Sequence, residues 1–241
     1  MNLSRSLIVE GLRNPDLAWR MLTRRPFLAG RLREFLVELT GETEERIDSY
    51  VEEVSNSTIE QTLESELARY PRMGSATASH GRILYALCRS LKPRTLVETG
   101  VFSGISSAYL LYAIQKNGLG HLYSIDLPDP FLATHGKEPG FAVPDSLKDG
   151  WTLDLGSSSD LLESLLEKLG SIDFFFHDSL HTYENMIFEL SVSWKYLHQG
   201  GLVISDNIDD NNAFRDFSAK TLVKASTLKY LISDYGALRK N

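Results

Sequence analysis

From about Ser75 onward, helical segments alternate with short apolar runs, and nothing else in the chain constrains its fold as much. Residues 80–91 read as a helix stopped before Pro93, since a residue preceding proline is driven out of helical geometry. Residues 95–98 then read as a short buried strand, 105–116 as a helix, and 121–126 as the next strand. Residues 151–155 form a third strand candidate, followed by a helix over 160–169. The run 172–176 is apolar on both faces, as a central parallel strand requires. A helix over 183–197, closed by Gln199-Gly200-Gly201, leads into a further buried strand at 202–205. Strands alternating with helices imply right-handed crossovers and a mainly parallel sheet. Weaker strands near 228–232 and 237–239, with Asp234-Tyr235-Gly236 as the turn between them, predict an antiparallel hairpin at one edge.

The first 74 residues read as a helical extension to this domain of 75–241. Leu32, Phe35, Leu36 and Leu39 recur at helical spacing, as do Ile59, Leu63 and Leu67, with Pro15, Pro26 and Gly41 as breaks. Its opening is basic: Arg5, Arg13, Arg20, Arg24, Arg25, Arg31 and Arg33 face only Glu10 and Asp16. That pattern fits a contact for an anionic substrate, a partner or a membrane surface. It fits better a solvated helix face packed on the main domain or on a second copy of the chain.

Taken whole, the 241 residues carry a net charge of −7, so no global field draws them to nucleic acid. The single cysteine, Cys88, lies in an apolar stretch and suits a buried thiol in a reducing compartment. No run approaches the roughly 20 apolar residues of a membrane span, and the start has no signal-like core, so a cytoplasmic protein is expected.

In open α/β sheets, ligands bind at the carboxyl ends of the strands. The turn after the first strand is Glu98-Thr99-Gly100-Val101-Phe102-Ser103-Gly104. Gly100 and Gly104 let the backbone bend and approach a ligand with no Cβ in the way. The spacing is G-x-x-x-G, so the three-glycine dinucleotide fingerprint is absent. Asp126, ending the second strand, is placed to accept hydrogen bonds from a ribose diol. Turn and acid together point to a nucleoside-containing ligand.

These residues resemble motif I and the ribose-binding acid of class I S-adenosylmethionine-dependent methyltransferases, over roughly 75–241. The resemblance implies a Rossmann-like sheet. It makes Glu98, Thr99, Gly100, Ser103, Gly104 and Asp126 cofactor-binding residues, with the turn against the amino-acid part of the donor. Gly156-Ser157-Ser158-Ser159 resembles the turn that approaches the adenine, which adds Ser157, and Asp178 stands at the next strand end.

That strand runs into His177-Asp178-Ser179-Leu180-His181, and its expected neighbour ends in Ser205-Asp206-Asn207. Asp178, Asp206 and Asn207 would converge at one rim, offering two carboxylates and an amide oxygen, a ligand set suited to Mg²⁺. This is similar to the metal-dependent O-methyltransferases of the catechol type and those that act on sugars of antibiotics. A bound cation would lower the pKa of an acceptor hydroxyl, and His181 is the candidate base. Asp209 or Asp210 could replace Asn207 as ligand. The competing readings are structural: Asp178 or Ser179 capping the next helix, Asp206-Asn207 as turn residues, and His181 as a satisfied histidine of a first helical turn. The expected activity is Mg²⁺-assisted O-methylation of a small hydroxylated metabolite or sugar. Alternatives are a metal-independent N- or C-methyltransferase, or a non-catalytic nucleoside-binding subunit working through its N-terminal helices. Those helices are also the expected contact of any homo-oligomer. The acceptor pocket is expected around Phe131, His135, Phe141, Trp151 and residues 211–217.

Overall fold

The computed structural model describes residues 28–69, 78–229 and 233–240. Its strands are β1 (Thr95–Thr99), β2 (His121–Asp126), β3 (Trp151–Leu155), β4 (Ile172–His177), β5 (Leu197–Ser205), β6 (Ser226–Lys229) and β7 (Asp234–Arg239). They form one sheet in the order β3-β2-β1-β4-β5-β7-β6. The first five are mutually parallel, and β7 runs antiparallel to both β5 and β6. The helices that follow β1, β3 and β4 are α5 (Ile105–Asn117), α7 (Ser158–Leu169) and α8 (Tyr183–Tyr196). α4 (Ala78–Leu91) precedes the sheet, and α6 (Pro130–Thr134) and α9 (Ala213–Thr221) lie in the connections after β2 and β5. Strand order reverses between β1 and β4, so a crevice opens at their carboxyl ends.

Alternation along the central strands feeds two cores. Leu96, Phe174, Phe176, Leu202 and Ile204 face one side and pack with α4 and α5. Val97, Phe175 and Val203 face the other, against residues of α7, α8 and α9. Both faces are covered, which is why these strands read as continuous apolar runs.

The N-terminal helices are α1 (Leu28–Thr40), α2 (Glu44–Ser55) and α3 (Thr58–Ala68). Thr40 ends α1 because Gly41 takes a left-handed φ of +74°. They have no core of their own: Phe35, Leu36, Ile47, Val54 and Leu63 join the cluster under α4 and α5. Arg82 of α4 clamps Glu60 of α3 through two bonds of 2.7 and 2.6 Å. Arg33 pairs with Asp48 at 2.8 Å, as a solvated helix face would. Arg5, Arg13, Arg20, Arg24 and Arg25, the breaks at Pro15 and Pro26, and the 74/75 boundary lie outside the described residues.

Three expectations need correction. Asp234-Tyr235-Gly236 is no turn but the start of β7, paired with Lys229, Leu228 and Thr227 of β6. Gly236 is small because a Cβ there would come within 2.4 Å of the Phe214 ring; the glycine marks close packing. The helix α9 carrying that ring went unread, although Ala213, Phe214 and Phe217 share a buried face. The helix expected over 183–197 ends one residue early, at Tyr196, and β5 begins at Leu197, five residues before the expected strand. β5 takes in the 199–201 glycine segment through a register shift, with Gly200 at φ +84°. Residues 127–150, whose Pro, Gly and Asp content reads as one long loop, also hold α6 and a short 3₁₀ turn, Asp145–Gly150.

Candidate functional site

At the crevice lies a cavity of about 730 Å³, walled by the ends of β1, β2, β4 and β5 and the turn before α7. Gly100, at φ +85°, is where β1 leaves the sheet, and its amide donates to the Ile125 carbonyl at 2.9 Å. A Cβ on Gly100 would stand 2.0 Å from the Asp178 carbonyl oxygen, so the turn and the post-β4 loop touch backbone to backbone. Phe102 also takes a positive φ, +48°. The carboxylate of Asp126 holds this turn: Oδ2 accepts from the amides of Val101 (3.0 Å) and Phe102 (2.6 Å), and Oδ1 from Leu127 (2.8 Å). Burial pushes the Asp126 carboxyl above its ordinary value, against the pull of those amides.

Gly100, Ser103, Asp126 and Ser157 line the cavity, and so do Asp178, His181, Asp206 and Asn207. Glu98, Thr99 and Gly104 lie behind that lining. Glu98 is fully buried under the turn, accepting from Ser106 and Ser107 at 2.6 Å each and from Ser124 at 2.8 Å. It ties β1 to the start of α5 and to β2. Thr99 donates to Glu189 at 2.5 Å. Gly104 makes room for Gly140 and Val143 of the long loop.

Burial pushes the Glu98 carboxyl up to about 7, opposed by its three serine hydroxyls. Unfolded, it ionises near its ordinary 4.5, so between about pH 4.5 and 7 the folded chain holds the extra proton. Glu98 therefore takes stability away as pH rises through that window, by about 3 kcal/mol in all. Glu98→Gln should flatten the pH dependence of Tm between pH 4.5 and 7 relative to the wild type; an unchanged difference across that range would refute it.

The post-β4 segment resolves the structural alternatives. α8 begins at Tyr183 with Thr182 as its cap, accepting from the Asn185 amide at 3.4 Å. Neither Asp178 nor Ser179 caps it, and His181 precedes the helix. The Asp178 side chain keeps 28 % of its surface open to the cavity, and no described donor lies within hydrogen-bond distance of its carboxylate. His181 Nε2 is 3.6 Å away, buried and without a hydrogen bond. Burial, then the negative charges of Asp206, Glu98 and Asp126, push the Asp178 carboxyl well above its usual range. Burial and the neighbouring His177 hold His181 below the ordinary imidazole value, so it is neutral at pH 7.

Asp206 is buried, and its Oδ1 accepts from Ser233 Oγ and from the Asn207 amide at 2.7 Å. Asn207, at φ +54°, directs its amide nitrogen toward Asp210 at 3.3 Å. Asp206-Asn207 is thus a turn as well as part of the wall. Asp209 and Asp210 do not line the cavity, and Asp209 accepts from the Asp234 amide at 2.9 Å. Among the described residues, no three His, Cys, Asp or Glu side chains gather closely enough to hold a metal by themselves.

Phe131, His135, Phe141 and Trp151 do not line the cavity, and none of residues 211–217 does. Trp151 donates to Ser124 at 2.9 Å and covers Gly140. Sequence reading missed His80, whose buried ring at the start of α4 lines the cavity and meets Tyr235 edge-on at 5.5 Å. It also missed Glu189, detectable only as a lone acid on the buried face of α8.

Residues 97–208 match a family model described as a methyltransferase domain. No curated protein matches the chain in sequence. Among solved structures, the Bacillus cereus O-methyltransferase in complex with SAH is 19 % identical, with a TM-score of 0.60 over 80 % of this chain and 97 % of that one. The O-methyltransferase TomG of Streptomyces achromogenes, bound to SAM and involved in tomaymycin synthesis, is 17 % identical, with a TM-score of 0.59 over 77 % and 91 %. The SAH-bound methyltransferase PaMTH1 of Podospora anserina is 15 % identical, with a TM-score of 0.60 over 82 % and 95 %. These likenesses establish the shared fold, and the glycine turn lies within the stretch that matches the methyltransferase-domain model. Residues 97–208 thus match a methyltransferase domain, and the cavity lies at the β1/β4 switch point of the fold shared with these structures.

Proposed function

We propose that the chain transfers a methyl group to an oxygen of a small hydroxylated metabolite or sugar, with a divalent cation such as Mg²⁺ at Asp178, Asp206 and Asn207. One observation carries this reading: an undonated carboxylate, Asp178, shares a cavity wall with Asp206 and stands 3.6 Å from the unpartnered nitrogen of a neutral histidine. Two facing carboxylates repel each other, and an oxygen-liganded cation is the group that relieves such a pair. The free oxygens of Asp178 and the Asn207 carbonyl fit that use; Asp206 retains Oδ2. When bound, the cation would supply charge stabilisation to an acceptor oxygen losing its proton.

The chain's own residues do the rest. Gly100 and Ser103 shape the wall for the donor, while Asp126 holds the turn and offers its remaining Oδ1 lone pair to a ribose hydroxyl. Ser157 faces the same space from the turn before α7. His181, neutral at pH 7, accepts the acceptor's proton at Nε2. O-methylation is supported by two of the solved structures above, which are O-methyltransferases. A cytoplasmic setting is supported by the buried Cys88 thiol, whose pKa burial drives far up. No helix among the described residues is long and apolar enough to cross a membrane. Self-association, where it occurs, is assigned to the N-terminal helices.

The occupancy of Asp206 Oδ1 by Ser233 and Asn207 favours a second reading, in which His181 and Asp178 act without metal. Methyl transfer to a panel of catechols and sugars, with Mg²⁺ or with EDTA, separates the two. The metal reading expects EDTA to stop turnover while calorimetric binding of S-adenosylhomocysteine persists; full turnover in EDTA would overturn it.

A further inference from the structure

Glu189 is a fully buried carboxylate that does not line the cavity, and the proposed reaction gives it no part. Its two oxygens nevertheless receive four hydrogen bonds. Oε2 accepts from Thr99 Oγ1 at 2.5 Å and His177 Nδ1 at 2.6 Å. Oε1 accepts from Ser179 Oγ at 2.7 Å and Asn185 Nδ2 at 3.0 Å. The donors come from the end of β1, the end of β4, the post-β4 loop and the first turn of α8. Asn185 also reaches the Leu180 carbonyl at 3.0 Å, so the loop carrying Asp178 and His181 is tied down beside both residues.

A carboxylate has no hydrogen to give, so the proton in the 2.6 Å contact belongs to His177 Nδ1. The other ring nitrogen, Nε2, is buried with no hydrogen-bond partner. The His177 ring stands edge-on to His181, with centroids 5.4 Å apart and planes at 82°. Burying a charge is tolerable only when its hydrogen bonds are complete, as they are here, and such satisfied networks select one arrangement of the groups they join.

We propose that Glu189 is a positioning residue: it fixes His177 in the Nδ1–H tautomer and holds the 178–182 loop in one arrangement, so that Asp178 and His181 face the cavity together. This rests on the reading of Asp178 and His181 as the reacting pair, and the test separates the two.

The test uses the full chain labelled with ¹⁵N-histidine, with His177→Gln to assign the signal. Long-range ¹H–¹⁵N spectra of the wild type should show His177 as the Nδ1–H tautomer. Glu189→Gln keeps one acceptor oxygen but turns an amide group toward Ser179 and Asn185, which were donors. Amide exchange over residues 178–182 should then rise about tenfold or more, while the affinity for S-adenosylhomocysteine stays within about threefold because the retained oxygen still accepts from Thr99 beneath the glycine turn. Should Glu189→Gln fail to fold, Ser179→Ala removes the loop donor alone; it should raise the same exchange and leave the His177 tautomer in place. An Nε2–H tautomer in the wild type, or unchanged loop exchange in the folded variant, overturns the proposal. Full methyl transfer by an Asp178→Ala, His181→Ala variant, with the tautomer and the exchange response of the wild type as stated, would instead overturn the reading of the reacting pair.

Discussion

Gly100→Ala is expected to weaken S-adenosylhomocysteine binding by more than about 100-fold, because a shift of an ångström at a binding turn is enough for that. Two penalties coincide at this residue. Its φ of +85° is a conformation that costs an L-residue about 1–2 kcal/mol. The new Cβ would also lie 2.0 Å from the Asp178 carbonyl oxygen, a backbone atom that cannot swing aside. Overpacking of that kind adds about 1–3 kcal/mol. Together they should lower Tm by about 6–12 °C in a chain of this size. Relief comes only by parting the glycine turn from the post-β4 loop, which opens both the donor wall and the Asp178–His181 rim. Gly118→Ala is the control: its φ is +66°, but nothing lies within 4 Å of the added carbon. It should lose about 2–8 °C and bind S-adenosylhomocysteine as the wild type does. Equal binding by both variants, measured by calorimetry, would show that the close approach at Gly100 carries no function.

The order of strands and helices was legible because a sheet buried on both faces leaves a loud record. The runs 95–98, 121–126 and 172–176 became β1, β2 and β4 with ends shifted by at most a residue. What escaped depended on partners far along the chain. Gly236 reads locally as a turn residue, and only the Phe214 ring pressed against it explains a glycine inside β7. Glu98 resembles a cofactor-binding acid by position, yet three serines from α5 and β2 claim its carboxylate. The convergence of Asp178, Asp206 and Asn207 followed from strand adjacency alone, since β4 and β5 pair in parallel through His177 and Ser205. Glu189 could not be read in this way, because its importance lies in four donors drawn from separate elements. Phe131 and Trp151 misled for the opposite reason: aromatic residues near a site are as readily used to pack its loops as to line it.

Asp178→Asn is expected to abolish methyl transfer while making the metal-free protein more stable. The loss of turnover should be about 100- to 10,000-fold, the range of general acid–base catalysis, because His181 loses its neighbouring carboxylate and the cation loses a ligand. The gain in stability follows from the charges around the residue. Burial, Asp206, Glu98 and Asp126 all disfavour an ionised Asp178, so its carboxyl is raised well above 3.8 in the folded chain. In the unfolded chain the proton leaves near 3.8, so above that pH the folded state binds the extra proton. Folding stability must then fall as pH rises from about 4 through the folded-state value. An asparagine carries no such proton, and its curve lacks that fall. The variant should match the wild type near pH 3.8 and exceed it by about 2–6 °C in Tm at pH 8, both measured in EDTA. Added Mg²⁺ should raise the wild-type Tm and narrow this gap, since a ligand that binds only the folded state stabilises it. It should do much less for the variant. A variant less stable than the wild type at pH 8 would mean that Asp178 is a structural anchor, and that the repulsion among these carboxylates is not what the cavity keeps for its ligands.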